Sequence, residues 1–265
     1  MKRWGGLVRK EWALVKWFAI ALFVINIGVV VVDNSHIFLG IADDSTSYAF
    51  MTSGLWLHLH TYMGAVLVAV SYSRERPRVD IWLHSPTPYV QLVGAKAVVA
   101  ASAVFWSLVL TGMVIAVFNY VGGYWGGLSI VDELLLMLSM IIAVVLNSLL
   151  FIVITLFFMQ VYQVLKSWMG KLSIIATVVL FQLSVLIWAV VNIIDWFQGM
   201  KELGPIYGVH TAVGVLPSLH ERNFILAGLL PETAILTVGS VVLYGVFTSI
   251  LFIGGAVLFE KKVRL

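Results

Sequence analysis

Cysteine is missing from all 265 residues, which excludes a disulfide framework, a thiolate metal site and thiol nucleophilic chemistry. Charge is scarce: 11% of the residues are Asp, Glu, Lys or Arg, where an average soluble domain carries about 25%. The phosphate-cradling loop G-x-x-x-x-G-K-[ST] is missing too, since Gly170-Lys171 runs on into Leu172 and lacks the earlier glycine. The chain is therefore expected not to hydrolyse ATP itself. No low-complexity linker and no inverted internal repeat interrupts it, so residues 1–265 read as one transmembrane domain.

What is there in excess is apolar. Hydrophobic residues make up 61% of the chain and mean hydropathy is +1.03. The excess gathers into long runs free of Asp, Glu, Lys and Arg, about 17–32, within 47–73 and 97–120, and over 134–165, 172–194 and 234–259. A hydrocarbon core of about 30 Å needs roughly 20 helical residues to cross it. A charge at a helix centre costs about 2.5 to 3.5 kcal/mol on insertion scales, which accounts for their absence from the runs. The expected fold is all-α and integral to the membrane, with six transmembrane helices. Residues 17–32 are followed by Asp33 and Asn34 without a small-residue cleavage pattern, so they read as a retained first span.

The formal charge of +3 does not point to nucleic acid, because the basic residues lie beside apolar runs and not on a separate polar domain. They sort by orientation instead. With six spans and a cytoplasmic N-terminus, all basic residues but Lys201 and Arg222 fall on the inner side. Asp33, Asp43, Asp44, Asp132, Glu133, Asp195, Glu202, Glu221 and Glu232 gather outside. An odd number of spans would scramble this pattern. Both termini are expected in the cytoplasm of a cell with this protein in its cell (inner) membrane.

Two segments on that inner side carry more than topology. At 100° per residue, Trp4, Leu7, Val8, Trp12 and Val15 share one face of a helix over 1–16, with Lys2, Arg3, Arg9, Lys10 and Lys16 opposite, the pattern of an interfacial amphipathic helix. Glu11 falls in the apolar arc, where a carboxylate needs a donor from a neighbouring helix or a partner. The second segment, 74–96, is charged, then amphipathic, then broken by Pro86 and Pro88. Pro77 suits a first helical turn and Ser85-Pro86 ends what Asp80 to His84 continues, so a short helix is expected to lie flat on the surface there. Trp82 and Leu83 among the charges mark it as a docking element.

Lys10-Glu11, Glu75 at the start of the second segment, then Leu83, Ser85 and Pro86, then Gly94 and Lys96, together with the six runs, resemble the type-2 ABC transporter permease family. The chain departs from the family at Pro77 and Arg78, where a glycine-containing turn is usual, which bears on where the coupling helix begins. The resemblance implies a pair of such subunits, identical or homologous, seated on soluble subunits that bind ATP and Mg, with no cofactor in this chain. It assigns ATPase coupling to Glu11, Glu75, Arg76, Asp80, Trp82, Leu83, Ser85 and Pro86. It also implies an outer gate in 195–233, a long stretch with Pro205, Pro217 and Pro231 that is apolar enough for short re-entrant helices, although a plain outer loop fits its composition equally.

Polar residues inside the runs have two readings, satisfied bonding within the bundle or a place on a substrate path. His58, His60, Asn147 and Gln182 are the candidates for such a path. His58 and His60 stand two apart, about 200° around a helix, so they cannot share one ion as an i, i+4 pair can, and no metal site is expected. The spans hold no G-x-S-x-G nucleophile and no paired acids, which argues against an intramembrane protease. Export of a hydrophobic or amphipathic substrate is the leading expectation. An ion-coupled carrier and a non-transporting sensor or immunity protein are the alternatives.

Overall fold

The computed structural model describes residues 2–38, 46–75, 87–122, 130–208 and 234–262. In chain order these form α1 (Lys2–Phe38), α2 (Thr46–Glu75), α3 (Tyr89–Gly122), α4 (Ile130–Met169), a single 3-10 turn (Gly170–Leu172), α5 (Ser173–Asn192), α6 (Asp195–Lys201), β1 (Pro205–Gly208), β2 (Ala234–Thr237) and α7 (Val238–Lys262). Among the described residues, four stretches are long and apolar enough to cross a membrane: Arg3–Val32, Tyr89–Val117, Leu138–Asn192 and Val238–Lys262. Such a chain is a membrane protein. The third stretch contains α5 and the part of α4 from Leu138 onward. Phe158 and Phe181 are 23 positions apart, about 35 Å along an unbroken helix, yet their rings lie 5.2 Å apart. The chain therefore reverses at Gly170, whose φ of 57° places it in the left-handed region where a Cβ would be strained.

The N-terminal amphipathic piece and the first apolar run are not separate elements. With no proline between Lys2 and Phe38, α1 continues through both as one 37-residue helix. Its buried positions, Glu11, Val15, Ala19, Asn26 and Val30, with Leu22 packed on the core, follow helical spacing and make one stripe. Helices α2 and α3 carry matching stripes, His60, Met63, Leu67, Ser71 and Glu75 on one, and Leu92, Lys96, Val99, Val104, Ser107 and Leu108 on the other. The three helices pack on one another along these lines, and α2 and α3 also pack on α4. The opposite faces stay apolar and bare, with Trp17, Val24, Trp106 and Val117 all exposed. Exposed apolar surface on this scale is not tolerated in water; lipid or another chain faces it.

A second unit forms around α4, α5, α6 and α7. Phe197 on α6, Trp188 of α5 and Phe247 of α7 form an edge-on trio, with centroids 5.5 Å (Trp188–Phe197), 5.2 Å (Trp188–Phe247) and 6.4 Å (Phe197–Phe247) apart. In the stretch expected to hold re-entrant helices, Asp195–Lys201 is a short helix, but Pro205–Gly208 is a strand paired antiparallel with Ala234–Thr237. The last apolar run consequently becomes helical only at Val238. Thr237 caps that helix reciprocally: Ser240 N–H donates to Thr237 Oγ1 at 3.0 Å, and Thr237 N–H to Ser240 Oγ at 3.2 Å. Residues 209–233, with the rest of the expected outer gate, lie outside the described residues.

The two units meet where α2 and α3 pack on α4 and where Tyr89 of α3 stacks on Phe259 of α7, and Gly64 brings α2 close to α4. A Cβ on Gly64 would stand 2.6 Å from Ile152 Cδ1, 2.7 Å from Ile152 Cγ1 and 2.8 Å from Ser148 Oγ, and Ile152 is fully buried. Gly64→Leu is expected to lower stability by about 1 to 3 kcal/mol through overpacking, read as a lower melting temperature in detergent. Equal melting of Gly64→Leu and the parent would refute the close approach.

Candidate functional site

Glu11 has the donor its place in the apolar arc requires. Lys96, on the stripe of α3, sends its ammonium to Glu11 Oε2 at 2.7 Å, to Glu75 Oε2 at 2.6 Å and to Ser71 Oγ at 2.7 Å. Ser71 in turn donates to Glu11 Oε2 at 2.6 Å. Three acceptors from two helices meet the three protons of the ammonium. Lys10, half exposed on α1, pairs with the other oxygen of Glu75 and lies 3.9 Å from Glu11 Oε1. Two carboxylates and two ammonium groups leave the cluster formally neutral, which is what allows Glu11, Glu75 and Lys96 to be almost wholly buried.

Local helical periodicity brings these groups together. Ser71 and Glu75 stand four apart on the last turn of α2, Glu11 leads the stripe of α1, and Lys96 lies two turns inside α3. Arg74 adds a further tie by donating to the Leu14 carbonyl of α1. The cluster therefore sits at the root of the segment that joins α2 to α3. The far end of that segment is also fastened: Tyr89 N–H donates to Glu260 Oε1 at 3.2 Å and the Tyr89 ring stacks on Phe259 at 4.0 Å. The Glu260 carboxylate thus meets an otherwise unsatisfied amide and the positive end of the α3 dipole.

A second polar cluster ties the same three helices farther along. His60 Nε2 lies 2.9 Å from Ser107 Oγ, and Asn26 Nδ2 lies 3.5 Å from both. Fifteen residues separate Glu11 from Asn26 and His60 from Glu75, about 22 Å of helix; eleven separate Lys96 from Ser107, about 16 Å. The α1–α3 unit is accordingly pinned at two levels.

Of the residues expected to couple to an ATPase, Glu11 and Glu75 are brought into one cluster, while Arg76, Asp80, Trp82, Leu83, Ser85 and Pro86 lie outside the described residues. The four path candidates do not converge. His60 belongs to the second cluster, Asn147 accepts from the Tyr244 hydroxyl at 2.5 Å, Gln182 is exposed on α5, and the side chain of His58 lies outside the described residues. Sequence reasoning named Lys96 only as a family position and missed Ser71, Asn26 and Ser107 as partners. The signal that finds them is the stripe on each helix, because all four fall on it.

Lys96→Met leaves Glu11 and Glu75 buried with the half-exposed Lys10 as their one remaining ammonium and is expected to cost about 3 to 5 kcal/mol. The triple replacement Glu11→Leu, Glu75→Leu, Lys96→Met removes charge and counter-charge together and should melt close to the parent. Tryptophan-fluorescence melting in detergent reads both, and a Lys96→Met variant as stable as the parent would break the assignment. In comparisons with protein-family models, curated proteins and solved structures, none matches the chain.

Proposed function

We propose that this chain is the membrane-spanning subunit of an ATP-driven exporter of the type-2 ABC permease kind. In this reading α1, α2, α3, α4, α5 and α7 are six spans in the cell (inner) membrane, with both termini in the cytoplasm. The working unit is a pair of such subunits, identical or homologous, on soluble subunits that bind ATP and Mg. The observation that carries it is the buried Glu11–Lys96–Glu75 cluster at the root of the α2–α3 connection.

A force delivered to that connection reaches three helices at once, because Glu75, Lys96 and Glu11 cannot separate without exposing a buried charge. Closure of an ATPase dimer would push the segment 75–86, and α1–α3 would tilt as a body against α4, α5 and α7. Rigid bodies moving about packed interfaces are sufficient for such a switch. The apolar character of the spans supports a hydrophobic or amphipathic cargo.

The ion-coupled carrier is supported by one observation, His60 buried beside Ser107 and Asn26 within the bundle. The two readings part in one experiment. The exporter reading expects the chain, purified from its native membranes, to bring down a soluble ATPase, and Trp82→Ala with Leu83→Ala to release it while melting is unchanged. In vesicles, the ATPase should be stimulated by the parent chain and not by that variant. Gradient-driven transport by the chain alone, with no nucleotide-hydrolysing companion, overturns the exporter reading.

A further inference from the structure

Between α2, α4 and α5 lies a cleft of about 510 Å³, open to the side of the bundle among the described residues. Its walls are Phe158 on α4 with Ile174, Val178 and Phe181 on α5, and Tyr72 of α2 with Thr155 and Tyr162 of α4 line it as well. From Tyr162 down to Thr155 the cleft runs for about 10 Å of helix. That is two thirds of the roughly 15 Å that one leaflet contributes to the hydrocarbon core.

The end of the cleft lined by Tyr72, Tyr162 and Ile174 is the basic end of the bundle. The same end holds Lys96, Lys10 and Arg74, and Lys262 packs over Trp168. Lys166 is exposed one turn beyond Tyr162 on the same face of α4, and Lys171 is exposed in the 3-10 turn three residues before Ile174. The acidic groups nearest in sequence are directed elsewhere, Glu75 to Lys96 and Lys10, and Glu260 to the start of α3. An apolar slot of leaflet depth beneath two exposed ammonium groups suits a molecule with an alkyl tail and an anionic head.

We infer that the α2–α4–α5 cleft is a binding site for an anionic phospholipid, which enters sideways from the leaflet at the basic end, lays one acyl chain against Phe158, Ile174 and Phe181, and sets its phosphate between Lys166 and Lys171. Concavity separates this site from the general lipid contact of the exposed helix faces, since a chain in the cleft is touched on three sides. The site does not rest on the exporter reading; a carrier or a sensor with the same fold would hold the same lipid.

The test uses the full chain in nanodiscs, with phosphatidylglycerol and phosphatidylcholine carrying the same photoactivatable group midway along one acyl chain. Cross-linked peptides are mapped by mass spectrometry. Phosphatidylglycerol should label α4 and α5 around Thr155, Phe158 and Phe181 more heavily than any other helix. Lys166→Gln and Lys171→Gln should each weaken that labelling about fivefold, the effect of one basic residue near an anionic bilayer, and leave phosphatidylcholine labelling unchanged. Thr155→Trp and, separately, Val178→Trp should fill the cleft and abolish labelling by both lipids, with melting and helix content checked for each. Equal labelling of the bare face of α1 around Trp17 and Val24 would overturn the site, and equal labelling by the two lipids would overturn the headgroup assignment. Labelling that falls as the chain is cross-linked to a second copy would assign the cleft to a subunit interface and overturn the proposal. Competition by a soluble alkyl phosphate but not by phosphatidylglycerol would replace the lipid by a free amphipathic anion.

Discussion

A lysine held between two glutamates organises one half of this molecule. Lys96 enters the interior only because Glu11, Glu75 and Ser71 meet all three of its protons, and those carboxylates enter only because Lys96 and Lys10 neutralise them. Buried charge of this kind contributes little net stability relative to well-packed apolar residues. Its contribution is geometric. The groups come from three helices, so the register of α1, α2 and α3 is set where they meet.

The second polar cluster repeats that logic without formal charge. Asn26, His60 and Ser107 sit on the same stripes as the ionic cluster, and hydrogen bonds of this kind between membrane helices contribute on the order of 0.6 kcal/mol each. Two levels of polar contact resist rotation of one helix against another better than one level can. The other unit is held differently, by aromatic edges around Phe197 and by the Tyr244–Asn147 bond. Gly64 marks the seam between them, where α2 approaches α4 closely enough that a methyl group would collide.

Helix α5 contrasts with both. It is apolar around most of its circumference, with Gln182 and Ser184 exposed, and among its described residues only Ser173 is buried. A helix with no polar face has no interior to seek in water, and here it leans on α4 alone over most of its length. The lateral cleft lies where α5 packs on α4 beside α2, and apolar and aromatic side chains from α4 and α5 line most of it.

Much of the architecture was legible in the residues. Long runs without charge predict helices in lipid because an unpaired backbone group or charge there costs several kcal/mol, and the predicted runs lie within α1, α2, α3, α4, α5 and α7, apart from residues 172, 193 and 194 beside α5 and the strand residues 234–237 before α7. The position of Glu11 in an apolar arc also required a donor, which exists. The identity of that donor was not legible. Lys96 is 85 residues away in sequence from Glu11, and local periodicity says which side of a helix is buried but not which helix faces it. The strand pairing of 205–208 with 234–237 was hidden for the same reason, since it depends on a partner beyond the intervening residues. Composition and spacing thus determined the solvent, the helices and their buried stripes, all of which follow from interactions within a few turns. Only the tertiary structure decided which stripes meet, because contact between distant segments is settled by packing and charge compensation in three dimensions.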